Sequence, residues 1–408
     1  MNEKLNEFKN MLKNKKVAII GAGVSNVPLF EYLSNLDCDI TLFDKKTKDE
    51  LNSDVLSTIS KYNIATSLGS NYLENLVGFD IIFRSPSFLP TNEYLVKEEK
   101  RGAVITTEVE QVIRLAPCKV IGVTGSKGKT TTTTIINNIL TSLGYHTYLG
   151  GNIGVPLFTK LDSITSDDII VLELSSFQLM DMSVSPNVAV VTNISPDHLD
   201  IHGSYEEYIN AKKYIFKNQK ENDVLVINSD DEIVKDFSKE YSLRIKYFGS
   251  SNYENCYWLD DSFIKYNNDK VIDTNNLLLK GKHNYLNICA ALNAISSIIE
   301  VDNKKLENII KDIKSVSHRL EFVRELNGVK WYNDSASTTP DKAIAGINAF
   351  SEDIVLIAGG YDKNISYDSL AKPILDKVSK LILFGNTKNK IYDAVMALKK
   401  KGNYDIQI

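Results

Sequence analysis

A chain of 408 residues has room for roughly two to four domains, and a 43% hydrophobic share suits ordinary globular cores. The net charge of −5 argues against a general nucleic-acid-binding surface, though not against a local basic pocket for phosphates. Four scattered cysteines without metal-ligand spacing (Cys38, Cys118, Cys256, Cys289) fit reduced thiols in a cytoplasmic protein, and no signal-peptide apolar region or membrane-length apolar stretch is present.

Three blocks follow, each alternating strand-like with helix-like segments, the pattern of doubly wound α/β sheets. The fold class expected is α/β in three domains: a Rossmann-like N-terminal domain over residues 1–108, a central P-loop domain with a mostly parallel sheet over 109–317, and a Rossmann-like C-terminal domain over 318–408. The first block opens with an apolar strand at Val17–Ile20, a Gly21-Ala22-Gly23 turn and a helix to about Leu36. A second strand, Ile40–Phe43, ends at Asp44, and further strands are expected at Ile81–Phe83 and Val104–Thr106. Gly21-x-Gly23-x-x-Asn26 with Asp44 about twenty residues on is a loosened dinucleotide fingerprint. The same turn can serve a nucleotide-sugar diphosphate, with Asp44 accepting from ribose or uracil, or be a tight turn without a ligand.

The second block carries the most informative string, GVTGSKGKTTT at 122–132. It lies between a strand, Lys119–Val123, and a helical run, Thr130–Leu143. Gly125-Ser126-x-Gly128-Lys129-Thr130-Thr131 can wrap a phosphate chain with backbone N–H groups and a helix N-terminus. Lys129 would reach the β- and γ-phosphates, and the Thr130 hydroxyl would sit on Mg²⁺. Strands at Ile169–Leu172, Val188–Thr192 and Val224–Ile227 each deliver polar residues at their C-terminal ends, where open sheets place ligands. They bring Glu173, suited to Mg²⁺, and then Asp197-His198, for which a metal or phosphate role is favoured. Lys212 lies on a helix, Tyr205–Lys217, and reads by itself as part of a solvated basic face. Residues 241–276 are short, aromatic and turn-rich, the pattern of a small antiparallel flap. Asn284 and Asn287 share a helical face and can read an adenine edge, or Asn284 can cap its helix.

The third block has expected strands at Val329–Tyr332, Ile354–Ile357 and Leu381–Phe384, a helix after Pro340, and a terminal strand, Tyr404–Ile408, with no partner segment after it. Domain closure could bring Arg319, Asp334 and Lys363 over the P-loop. The block is short for a finished doubly wound domain, so the expectation is a chain lacking its last segment.

In order, GVTGSKGKTTT, GGNIGVPL, LELSSFQL, TNISPDHLDIHGSYEEYINAKKYIF, GKHNYLN, HRLEF and YNDSASTTP resemble the Mur ligases of peptidoglycan synthesis. The resemblance runs from Val17 to about Ala397, and LELSSFQL with GGNIGVPL points to the branch that adds D-glutamate. It implies three domains for UDP, for ATP and for closure over both. It also implies the substrates UDP-N-acetylmuramoyl-L-alanine, D-glutamate and ATP, two Mg²⁺ sites, and a monomer that inserts into no membrane. Carried over by position, Lys129 and Thr130 hold phosphates and Mg²⁺, Glu173 and His198 serve the metals, and Lys212 is the lysine that CO₂ converts to a metal-binding carbamate. Asn152, Ser175 and Gln178 contact the muramoyl–alanine part, Asn284 and Asn287 face adenine, Arg319 and Asp334 the phosphates and ribose, and Lys363 a substrate carboxylate. Two departures stand out. Ala336 occupies a position where many members have Lys, and nothing after Ile408 corresponds to the family's D-glutamate-holding end segment. A folylpolyglutamate-synthase-like ligase or a non-catalytic nucleotide-binding protein are the alternative readings.

Overall fold

Runs of aliphatic and β-branched residues form parallel strands buried on both faces. In the first block α1 (Glu3–Leu12), β1 (Lys16–Ile20), α2 (Val27–Ser34), β2 (Asp39–Asp44), α3 (Ser53–Tyr62), β3 (Ala65–Leu68), β4 (Ile81–Arg84), α4 (Glu93–Lys100) and β5 (Val104–Thr106) build a parallel sheet of order β3-β2-β1-β4-β5. The chain winds outward from β1 on one side, then restarts on the other at β4. A crevice therefore opens at the C-terminal ends of β1 and β4.

The second block contains α5 (Glu108–Leu115), β6 (Lys119–Thr124), α6 (Lys129–Ser142), β7 (Thr147–Gly151), β8 (Ile169–Glu173), α7 (Ser176–Leu179), β9 (Val188–Val191), α8 (Leu199–His202), α9 (Tyr205–Lys217), β10 (Val224–Asn228), α10 (Glu232–Glu240) and β11 (Arg244–Phe248). Its parallel sheet has the order β11-β10-β9-β6-β8-β7. Residues 244–248 therefore do not belong to the expected flap. The crossover helix α10, with Val234 and Phe237 buried, returns the chain in the same direction, so β11 pairs parallel with β10. The flap itself is β12 (Tyr257–Asp260), β13 (Phe263–Tyr266) and β14 (Asp269–Asp273). Its tight connections carry Asp261 and Asn267 in the left-handed conformation, and only antiparallel pairing permits such short reversals.

The computed structural model describes residues 2–240, 244–314, 318–350, 352–363, 365–402 and 404–408; the expected flap start at Tyr241 and domain boundary at Ser317 lie outside them. The chain divides into two compact units, Met1–Trp258 with Tyr266–Asp269 and Cys289–Asp302, and Leu259–Lys265 with Lys270–Ile288 and Asn303–Ile408. Both large sheets belong to the first unit. Their cores are continuous: the buried Phe158 ring meets Phe8, Tyr32 and Phe83 edge-on with centroids 5.9, 5.2 and 6.0 Å away. The second unit takes in the start of α11 (Lys282–Ile295), then α12 (Asn303–Lys311), an antiparallel pair β15 (Glu321–Leu326) and β16 (Val329–Asn333), α13 (Pro340–Asn348), and a parallel pair β17 (Ile354–Gly360) and β18 (Val378–Gly385) with α14 (Asp368–Lys377) and α15 (Lys388–Lys399). Ile374, Val378, Leu381, Ile391 and Val395 lie in its core. The expected terminal strand is reduced to one parallel bridge between Lys380 and Gln407, with Leu381 N donating to Gln407 O at 2.8 Å. Among the described residues no helix is long and apolar enough to cross a membrane.

Glu108 opens α5 and joins the two sheets of the first unit. It is buried, and its Oε1 accepts the amides of Leu157 and Phe158 at 2.8 Å each. Burial outweighs those two bonds and pushes its carboxyl up to about 7 from 4.5. A raised folded value means that the stability contributed is complete below the unfolded value and lost as pH rises through the folded one. Because both amides use one oxygen, Glu108→Gln can keep them and stay neutral. Relative to the parent chain, the variant should gain about 3 kcal/mol between pH 5 and pH 8. Thermal melts at the two pH values check this; an unchanged difference in Tm contradicts it.

Candidate active site

The loop between β6 and α6 is shaped by one glycine and braced by the next strand's exit. Gly125 has φ +142°, and a Cβ there would lie 2.0 Å from Thr192 Oγ1, so a side chain is excluded. The Thr192 hydroxyl donates to Lys127 O at 2.6 Å. Ser126 N donates to Asn193 O (2.8 Å) and Lys127 N to Asn193 Oδ1 (2.9 Å). Gly128, at φ +84°, precedes α6, whose first turn takes no side-chain cap, leaving an N-terminus suited to an anion. Lys129 Nζ folds back onto Gly125 O (2.8 Å) and Ser126 O (3.0 Å). Thr130 is half-buried beside it, and Thr131 is buried.

Glu173, at the end of the neighbouring strand β8, is buried. Its Oε1 accepts from Asn152 Nδ2 at 2.7 Å, whereas Oε2 is buried with no partner. Asn152 comes this close because Gly151, at φ +89°, brings the backbone to where a Cβ would be 2.1 Å from Glu173 O. Lys212 corrects the solvated-face expectation: it is 1% exposed, and its Nζ donates to Gly125 O at 2.9 Å and lies 4.7 Å from the Tyr208 ring centre. Packing of α9 against the loop, not the helix's own polarity, decides this. Burial, aided by nearby Lys129 and opposed by Asp197 and Glu173, lowers the ammonium to about 7. The Tyr208 hydroxyl is 2.8 Å from Ser126 Oγ.

His198 is exposed in a left-handed conformation, 3.7 Å from Asp197 Oδ2, with its ring 5.3 Å from that of Phe177. Among the described residues no three His, Cys, Asp or Glu side chains form a metal-ligating group. What does fit a cation is the acceptor-only Glu173 Oε2, buried with nothing to accept from. Ser175 and Gln178 are engaged with each other in a capping box around α7: Gln178 Oε1 accepts from Ser175 N and Oγ, both at 3.0 Å. A cleft of about 440 Å³ opens between the first glycine turn (Val24, Ser25), Ser87 after β4, Asn152 after β7, and Phe177 with Gln178. Asp44 lies at the exit of β2, where it accepts from Ala22 N (2.7 Å) and Lys46 N (2.9 Å). Asn26, in place of a third glycine, ties the turn through Ile20 O and Gly21 O.

The remaining sequence candidates belong to the second unit. Asn284 and Asn287 are buried and bonded to each other at 3.4 Å, and Asn284 Nδ2 donates to Lys280 O at 2.7 Å. That amide thus donates to a carbonyl four residues earlier, which is not the role of an N-cap acceptor. Asp334 Oδ1 accepts from Leu320 N at 3.0 Å. Arg319 and Lys363 are exposed.

Two family models match, the Mur ligase middle domain over residues 123–295 and the Mur ligase, glutamate ligase domain over 318–406. The chain is 47% identical over 405 residues to the UDP-N-acetylmuramoylalanine–D-glutamate ligase of Clostridium acetobutylicum, covering 98% of this chain and 87% of that one. It is 46% identical to the enzyme of the same name from Clostridium tetani, covering 100% and 89%. The chain belongs to the Mur ligase family, on the branch of its UDP-N-acetylmuramoylalanine–D-glutamate ligases. Solved Mur ligases share the fold at lower identity. The UDP-N-acetylmuramate–alanine ligase of Thermotoga maritima aligns with a TM-score of 0.57 at 18% identity over 97% of this chain and 90% of that one. The MurF ligase of the same organism, solved with ADP, gives 0.55 at 17% over 98% and 91%.

In this Mur ligase, the first unit gathers Lys129, Glu173, Asn152 and Lys212 at the C-terminal edge of one parallel sheet. Three side chains escaped the sequence reading. Arg84, 3% exposed at the end of β4, donates to Met180 O at 2.6 Å and Phe177 O at 3.5 Å. His202 and Tyr208 lie between α7 and the P-loop. An arginine ending a buried strand was the one available signal, since a strand of Ile-Ile-Phe gives a guanidinium no reason to be there without carbonyls to satisfy.

Proposed function

We propose that this Mur ligase joins D-glutamate to UDP-N-acetylmuramoyl-L-alanine with consumption of ATP, as the printed names of its relatives describe for them. The observation that carries the reading is the convergence of a P-loop lysine, a buried carboxylate and a buried lysine next to an open cleft at one sheet edge. In this reading the domains are 1–108 for UDP, 109–317 for ATP and 318–408 for closure, and the enzyme works as a cytoplasmic monomer.

The L-alanine carboxylate attacks the γ-phosphorus of ATP, ADP departs, and an acyl phosphate forms. The free amine of D-glutamate then attacks the acyl carbon, phosphate leaves, and the nitrogen loses its proton to solvent as the amide forms. Lys129 and the amides of Gly125–Gly128 oppose the charge on the phosphoryl oxygens. Thr130, Glu173, His198 and a carbamylated Lys212 would hold Mg²⁺, which supplies further positive charge there. Carbamylation needs a neutral amine: its lone pair bonds to the carbon of CO₂ and one proton is released. The lowered Lys212 value makes that form available near neutrality. Asp44, Asn152, Ser175 and Gln178 receive the UDP-sugar. Asn284, Asn287, Arg319 and Asp334 receive ATP, and Lys363 a carboxylate.

Phosphate release from ATP, measured with UDP-N-acetylmuramoyl-L-alanine and D-glutamate, L-lysine or no amino acid, tests the proposal. Release that requires D-glutamate is expected. Release with L-lysine alone, or none under any condition, overturns it.

A further inference from the structure

The helix that offers Phe177 and Gln178 to the cleft is a single turn of four residues. So short a helix has no stability of its own, and its position must be imposed from outside. Arg84 holds its C-terminal carbonyls. Its first residue is held by His202: Ser176 Oγ and His202 Nε2 are 2.9 Å apart. The His202 ring also stacks on Phe177, with centroids 5.0 Å apart and planes at 16°. The same ring meets Tyr208 edge-on at 5.2 Å, and Tyr208 bonds Ser126 of the P-loop. His202 is 2% exposed, and its Nδ1 is buried without a partner.

That orphan atom argues against mere filling. A phenyl ring would occupy the same space and stack as well without burying an unsatisfied nitrogen. What imidazole adds is the bond to Ser176. We propose that His202 is a positioning residue that holds the acceptor-cleft helix in register with the ATP loop, so that the UDP-substrate's carboxylate meets the γ-phosphate. The proposal rests on the ligase reading above.

The test uses the full chain with His202→Phe, which keeps the ring and drops the bond, Ser176→Ala, which drops it from the other side, the double variant, and His202→Gln. Binding of UDP-N-acetylmuramoyl-L-alanine by calorimetry is measured beside KM for that substrate and for ATP, and Tm. His202→Phe and Ser176→Ala should each raise Kd and KM for the UDP-substrate about tenfold while KM for ATP holds, because a fixed contact at the cleft is lost. The double variant should be no worse than either single one, and His202→Gln should recover most of the loss. Unchanged UDP-substrate binding, multiplicative losses in the double variant, or equal rises in both KM values with a fallen Tm each overturn the positioning role. Parent protein that fails to bind the UDP-substrate sinks the ligase reading and this proposal together. Parent protein that binds it while the variants bind equally well sinks only the role of His202.

Discussion

Replacing Lys129 by alanine should reduce D-glutamate-dependent phosphate release by about a thousandfold or more, the scale seen when a phosphoryl-transfer site loses a fixed positive charge. In the free enzyme its ammonium is held by Gly125 O and Ser126 O, two carbonyls of the loop that would cradle the phosphates. The cation is therefore stationed before any nucleotide arrives, and little reorganisation is needed at the moment of reaction. Lys129→Arg should fail nearly as badly, because a planar guanidinium does not fit where a compact ammonium turns back onto its own loop. Tm should change little, since two carbonyl contacts to a half-buried side chain add little to the fold. Steady-state assays with saturating substrates decide this: ligation above about a tenth of the parent rate would remove the P-loop from the mechanism.

The second large effect concerns Lys212. Lys212→Ala should lose ligation by about a hundredfold or more, and short carboxylates such as formate or acetate should restore part of it by entering the space of the missing carbamate. Exhaustive removal of CO₂ should weaken the parent enzyme reversibly, with bicarbonate restoring it and leaving the variant unmoved. Failure of every acid, together with indifference to CO₂, would exclude a carbamate. Stability provides a separate reading. The folded value of about 7 lies below the ordinary 10.5. Below pH 7 the group is protonated in both states, and the folded chain bears the full cost of burying a charge. From pH 7 to 10.5 only the unfolded chain keeps the proton, so the parent protein gains stability as pH rises. In CO₂-free buffer, where the amine is free, Lys212→Met removes the titration, so its advantage in Tm over the parent should be largest near neutrality and shrink toward pH 10.5. A pH-independent difference would show that the amine is not desolvated.

These two lysines mark how much of the site can be read along the chain. Lys129 is legible because the signal that marks it is local: a strand, four loop residues and a helix start within one stretch of sequence, although Thr192 and Asn193 brace the folded loop from a distance. Lys212 is illegible by polarity alone. It sits in a helix rich in charge, and its burial comes from packing of that helix against the phosphate loop, where its Nζ meets Gly125 O, 87 positions away. Only likeness to a family marked it beforehand, and that likeness carried a role without the reason for it. Ser175 and Gln178 were flagged the same way, although their Ser-x-x-Gln spacing is itself a capping-box pattern, which the folded turn closes. His202, four residues past the flagged His198, was overlooked because its significance lies in the ring it stacks on, not in any spacing. The strand β11 was misassigned for a related reason. Its short aromatic run looks like flap, and only the crossover through α10 and the open edge of β10 make it part of the parallel sheet.

Alternating apolar and glycine-punctuated segments were sufficient to determine the α/β class, the parallel strands and the phosphate loop, since hydrophobic periodicity and the steric freedom of glycine act over a few residues. The tertiary structure alone decided the order of strands in each sheet, the loss of water around Lys212, the unpaired oxygen of Glu173 and the path from Ser126 through Tyr208 and His202 to Ser176. Each of these depends on which distant surfaces exclude water from one another, and desolvation is a property of the packed assembly, not of any segment within it.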